Sequence, residues 1–114
     1  TASGKMYLSS LASNHLQRFL KAAELEASTE KSITDRKALL DEITKVRDQG
    51  FAIDEGEFMD DMVALAVPIL GPQRRLMATL SFHAPSQRFD SKKALEHLPD
   101  LRIASAELSS LLEP

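Results

Sequence analysis

Hydrophobic positions recur at helical spacing in the first half of the chain and alternate in the middle, and this change of period divides the sequence into elements. Thr1-Ala2-Ser3-Gly4-Lys5 places hydroxyl caps just before Met6, Tyr7, Leu8 and Leu11, which predicts a helix start. Ser13 or Asn14 is expected to cap a second helix carrying Leu16, Phe19, Leu20 and Ala23. From Glu24 to Lys31 the composition is polar and aperiodic and reads as a loop. Thr34 or Asp35 then opens a helix with Leu39, Ile43 and Val46 on one face, Leu40 beside them, and Gly50 as a left-handed stop. Beyond Gly50, Phe51–Ile53 reads as a short strand and Asp54–Asp61 as an acidic stretch broken by Gly56. Met62–Leu70 and Leu76–His83 read as two strands of an antiparallel hairpin joined by Gly71-Pro72-Gln73-Arg74. Pro68 cannot donate to a ladder, which favours an edge position or a nearby bulge. Asp90 caps a last helix carrying Leu95, Leu98, Leu101, Ile103, Leu108, Leu111 and Leu112, which Pro99 should kink or restart. That leucine stripe is expected in the core.

The order of elements gives an α+β fold, an antiparallel sheet flanked by helices. Two or three strands are few for such a sheet. It is expected to be completed by residues upstream of Thr1 or covered by another chain.

Composition narrows the function. The chain has 114 residues, enough for one domain, with 43% hydrophobic and 27% charged residues, an ordinary globular balance. The net charge is −3, from 17 acidic and 14 basic residues that form no basic stripe, so this segment is not expected to touch nucleic acid. There are no cysteines, which excludes disulfide frameworks, Cys-based zinc sites and thiol nucleophiles. Without a signal pattern or a long apolar run, a cytoplasmic, membrane-free protein is the expectation. The start at Thr1, inside a helix signal, reads as a piece of a longer chain.

From Ser32 to Phe89 the sequence resembles the effector domain of the IclR family of bacterial transcription regulators. The residues that carry the resemblance are Ile33-Thr34-Asp35, Leu39, Glu42, Ile43, Val46-Arg47, Gln49-Gly50-Phe51-Ala52, Asp54 and Glu57. Downstream they are Ala66, Pro68-Ile69, Ala78, Leu80-Ser81, Pro85 and Arg88-Phe89; upstream, Thr1–Lys5 and Leu8 match the family's helix start. The resemblance implies a GAF/profilin-like antiparallel sheet flanked by helices, of which residues 1–114 form the C-terminal part. It also implies a winged helix-turn-helix in a separate domain as the only contact with DNA, a homodimer or tetramer, and a small carboxylic or keto acid as effector. No cofactor, metal or catalytic activity is implied.

Family pocket positions fall on Ala2 and Ser3, as backbone amides, and on Asp54, Met62, Ala64, Ser81 and His83. The chemistry agrees: amides opening a helix suit a carboxylate, Ser81 donates a hydrogen bond and Asp54 accepts one. Strict alternation puts Met77, Thr79, Ser81 and His83 on one face, with Leu76, Ala78, Leu80 and Phe82 on the other. The chain departs from the family pattern where His83 replaces a common Ser, Ala84 a common Gly, Ala64 a small polar residue and Asp61 a frequent Gly. These changes bear on which ligand fits.

Other readings compete for the same residues. His83 also suits a solvated strand end, and Asp54 a turn that it caps through its own backbone. Ser81, His83 and Asp54 could form a small hydrolase, although strand neighbours 81 and 83 lie roughly 7 Å apart, long for a Ser–His bond, and the Gly-x-Ser-x-Gly elbow is absent. A GAF-like dimerisation domain without ligand is a further alternative. His15 and His97 are expected on solvated helix faces, and the 54–61 acidic run does not fit a calcium loop.

Overall fold

A computed structural model describes residues 1–22, 25 and 29–112. The elements run α1 (Ala2–Ser9), α2 (Ser13–Ala22), α3 (Arg36–Gln49), β1 (Ala52–Glu55), β2 (Met62–Leu70), β3 (Leu76–Pro85), α4 (Ser91–Glu96) and α5 (Leu98–Leu111). The strands form an antiparallel sheet in the order β1-β2-β3. The fold is α+β, as the change of period predicts. Ala23, Glu24 and residues 26–28 of the expected helix end and loop lie outside the described residues.

Capping explains most boundaries. The Thr1 hydroxyl accepts from the Gly4 amide at 3.0 Å, Asp35 accepts from Lys37 N, and Asp90 accepts from Lys93 N at 2.8 Å. Gly50 closes α3 at φ 79°, a left-handed conformation that glycine reaches without a Cβ clash. Helix α2 begins at Ser13 itself, with Leu16 N bonded to Ala12 O, so neither Ser13 nor Asn14 stands outside its first turn. The expected last helix is two helices that break at His97. Pro99 is the second residue of α5, where a missing N–H costs nothing.

The sheet differs from the alternation pattern in instructive ways. Strand β1 continues through Glu55 and thereby places Asp54 in the ladder. Pro68 lies two residues beyond the last β1–β2 pair, Ala52↔Ala66, so β2 has an open edge there. Its carbonyl, which points the same way as its missing N–H, accepts from Ser105 Oγ of α5 at 2.5 Å. Ile69 pairs with Ala78 but Leu70 pairs with Leu76, so Met77 is the extra residue of a bulge. The bulge turns Leu76 onto the face shared by Leu70, Thr79, Ser81 and His83, against strict alternation.

One face of the sheet carries α1 and α3. Ala2 and Met6 of α1 and Val46 of α3 pack on Ala52, Ala64 and Ala66, while Leu8, Leu16, Leu20, Leu39 and Ile43 form a second cluster among the helices. The other face presents Val63, Leu65, Val67 and Ile69, all buried, to α4 and α5. The leucine stripe is not core. Leu95, Ile103, Leu108, Leu111 and Leu112 are exposed, Leu111 by 79%, because α5 docks on β2 through the hydroxyls of Ser105 and Ser109, which reach the carbonyls of Pro68 and Leu70. Among the described residues no helix is long and apolar enough to cross a membrane.

The hairpin tip is strained. Gln73 (φ 60°) and Arg74 (φ 59°) are both left-handed, and Arg75 N bonds to Pro72 O at 3.3 Å. This is a type I′ turn whose two central positions ordinarily hold Asn-Gly. An L-residue with a long side chain costs roughly 1–2 kcal/mol in that region. Gln73→Asn combined with Arg74→Gly is therefore expected to stabilise the fold by about 1–2 kcal/mol. A higher urea midpoint at unchanged m-value checks this.

Candidate functional site

Strand register assembles the site in rows. Antiparallel partners share a face, so Ala52–Ala66–Ser81 and Asp54–Ala64–His83 form two consecutive rows beneath α1. The first row is closed: Ala52 and Ala66 are fully buried under Ala2 and Met6. Over its β3 end, Ser3 Oγ approaches Ser81 Oγ at 3.4 Å. The opening turn of α1 and the end of β3 therefore converge.

The second row is open. Here α1 has only begun, the central residue is an alanine, and a cavity of about 200 Å³ remains, lined by Thr1, Asp54, Phe58, Met59, Met62, Ala64 and His83. Asp54 and His83 stand at its two sides, each one strand from Ala64, about 10 Å apart at the spacing of neighbouring strands. The walls between them are apolar side chains of Met62, Ala64, Phe58 and Met59.

Of the residues expected at a pocket, the structure brings Asp54, Met62, Ala64 and His83 to this cavity. Ser3 and Ser81 close its neighbouring row. Ala2 contributes no side chain, being 1% exposed within the core, and only its amide opens the helix. The Thr1 cap takes the Gly4 amide and Lys5 N bonds to Thr1 O, so the amides of Ala2 and Ser3 have no acceptor among the described residues.

Asp54 also fulfils its structural reading. It is buried, and Oδ1 accepts from Glu57 N at 2.8 Å, which closes the turn after β1. His83 is exposed, and Ser81 is paired with Ser3 rather than with His83. The hydrolase arrangement is thus not assembled. Among the described residues no group of three acidic or histidine side chains could hold a metal, so the 54–61 carboxylates do not converge. His97 is exposed, as expected, while one side of its ring meets Phe82 and Phe89 at 6.1 and 5.7 Å between centroids.

Three functional features escape the sequence pattern. Phe58 and Met59 overhang the cavity from a loop whose charges suggest mere solvation. Lys5 fastens that loop: 5% exposed, its ammonium donates to Ile53 O at 2.7 Å and to Glu57 Oε2 at 2.8 Å, and lies 2.8 Å from Glu57 Oε1. Thr29 Oγ1 donates to Gly56 O at 2.5 Å and Ser32 Oγ to Glu57 O, anchoring the same segment from the other side. The signals were a lone lysine in an apolar helix start and the only large apolar pair within an acidic run.

Residues 1–110 match the family model described as bacterial transcriptional regulator IclR C-terminal. The chain is 31% identical over 110 residues to the HTH-type transcriptional regulator KdgR of Escherichia coli, and 30% identical over 113 residues to the Pca operon regulatory protein of Acinetobacter baylyi. These alignments cover 96% and 98% of the chain but only 42% and 41% of the two regulators, so the chain spans less than half the length of these relatives. Among solved structures, the C-terminal domain of E. coli KdgR superimposes with a TM-score of 0.89 at 30% identity, covering 98% of this chain and 68% of that one. A double mutant of the PobR inducer-binding domain from Acinetobacter, in complex with 3-hydroxybenzoic acid, superimposes at 0.92 with 28% identity, covering 97% and 64%.

Proposed function

The chain belongs to the IclR family of bacterial transcriptional regulators, as its C-terminal domain, and from that premise we propose that the cavity at the start of α1 receives a compact hydroxylated carboxylic acid. The family consists of regulators, not enzymes. One observation carries the reading: the second row joins an acceptor, Asp54, to a hydrogen-bonding imidazole, His83, across an apolar floor beside unengaged helix amides. The amides of Ala2 and Ser3 carry the positive end of the α1 dipole and suit a carboxylate. His83 adds a hydrogen-bond donor on that side. Asp54 would repel a carboxylate and accept a hydroxyl instead, which orients the ligand across the sheet.

Size and lining specify the class. About 200 Å³ lies below the roughly 300–1,000 Å³ of pockets for drug-sized molecules, so the occupant is compact. Phe58, Met59 and Met62 favour an aromatic or aliphatic body over a polyhydroxylated one. The PobR domain holding 3-hydroxybenzoic acid supports a ring with this polar pattern. In the full-length protein, the domain would report occupancy to a separate winged helix-turn-helix through its differential affinity for two arrangements of a dimer or tetramer.

Calorimetric titration with hydroxybenzoates and with sugar acids tests the proposal. Hydroxybenzoates are expected to bind, with affinity falling about tenfold in His83→Ala as a hydrogen-bonding partner is lost. Binding that ignores His83→Ala contradicts the assignment. Binding of no small acid leaves a purely interacting domain.

A further inference from the structure

A second recess lies at the opposite end of α1. There the helix stops over the β2–β3 hairpin, leaving an open groove of about 740 Å³ between its last turn, α3 and the hairpin tip. Its charge is one-sided. His15, Arg47, Arg74 and Arg75 line it, together with the hydroxyls of Tyr7 and Ser10, and no lining residue is acidic. Among the described residues no carboxylate pairs with any of these arginines.

One of these cations, Arg47, is held in position, and two more stand on the exposed hairpin tip beside it. Arg47 Nε and Nη2 each donate at 3.0 Å, to Ser9 O and Leu11 O, so its guanidinium caps the carbonyl end of α1 and stands in the groove wall. Arg74 and Arg75 project from the type I′ turn, where Gln73 and Arg74 occupy left-handed positions that Asn-Gly would fill without strain. Backbone strain held by its surroundings concentrates where a site needs a particular side chain. The floor beneath is apolar, formed by Val46, Pro68, Leu70 and Leu76, and it is the Met77 bulge that turns Leu76 inward.

We propose that this groove is a second ligand site, for a compact oxyanion with two or more negative charges, bound by Arg74 and Arg75 against the fixed Arg47. Guanidinium forks match phosphate and carboxylate oxygens in pairs, and a multivalent anion engages several at once. A phosphate ester and a polycarboxylate share this chemistry. The site is independent of the cavity at the start of α1, because no residue lines both.

Calorimetry of the chain with inorganic pyrophosphate and with citrate separates the two sources. Saturable binding of at least one is expected below about 1 mM in low salt. Arg75→Gln is expected to weaken it about tenfold or more, and so is the Gln73→Asn/Arg74→Gly pair. Since the latter pair is expected to stabilise the fold, its loss of binding cannot reflect misfolding. His83→Ala should leave binding unchanged. The proposal is overturned if neither anion saturates below about 10 mM, if the arginine variants bind as the parent does, or if His83→Ala abolishes the signal.

Discussion

Lys5→Met is expected to lower the stability of the fold by about 3 kcal/mol, although it replaces a charge with a side chain of similar length and apolar character. The reason lies in what is left behind. Lys5 is 5% exposed and meets both oxygens of Glu57 at 2.8 Å, with Glu42 at 3.6 Å. Methionine fills the volume but leaves the Glu57 carboxylate largely desolvated and without its cation, and strips Ile53 O of its donor. Removing one member of such a pair costs roughly 3–5 kcal/mol; the side chain of Glu57 is 17% exposed, which places the effect at the lower end. Against a total of about 5–15 kcal/mol this is a large fraction. Urea denaturation reads it directly. Lys5→Met with Glu57→Gln should recover more than half of the loss, because the stranded charge is then removed too. A single variant within about 1 kcal/mol of the parent would show that the pair contributes little.

Ala64→Leu is expected to reduce effector affinity about 100-fold, equivalent to about 2.7 kcal/mol, while changing stability by less than about 1 kcal/mol. The added atoms are directed into the cavity of about 200 Å³ between Asp54 and His83, which Ala64 lines. The same change one row away should behave in the opposite manner. Ala66 is fully buried under Ala2 and Met6, so Ala66→Leu is expected to destabilise by about 1–3 kcal/mol or more. Parallel calorimetry and denaturation of the two variants check both statements. Equal stability losses would mean that the second row is as tightly filled as the first.

Local signals carried well from sequence to structure wherever one residue decides one interaction. Gly50, Asp35, Asp90 and Pro99 each stand at the boundary their chemistry predicts, and Leu39, Ile43 and Val46 form the buried stripe of α3. The convergence of Ser3 with Ser81 was also legible, through the resemblance rather than through periodicity. What stayed hidden depends on partners that a pattern does not name. The leucines of α5 have the spacing of a core helix, yet spacing does not reveal how many strands lie beneath. Leu76 changes face because Met77 bulges, and a bulge leaves no trace in an alternating run. The hairpin turn lacks its usual Asn-Gly, so its type was invisible. Lys5 looked like an ordinary helix lysine because its carboxylates lie 37 and 52 residues downstream.

Helix α1 has eight residues, a rod about 12 Å long. Thr1 sits at the rim of one recess and Tyr7 in the wall of the other, while the Lys5 clamp grips the middle. Ala2 and Met6 seat the rod in the core and Arg47 holds the carbonyls at its far end, so it is fixed along its length. A molecule seated at one end then meets a helix already anchored at the other, and the two recesses are expected to fill without altering each other's affinity.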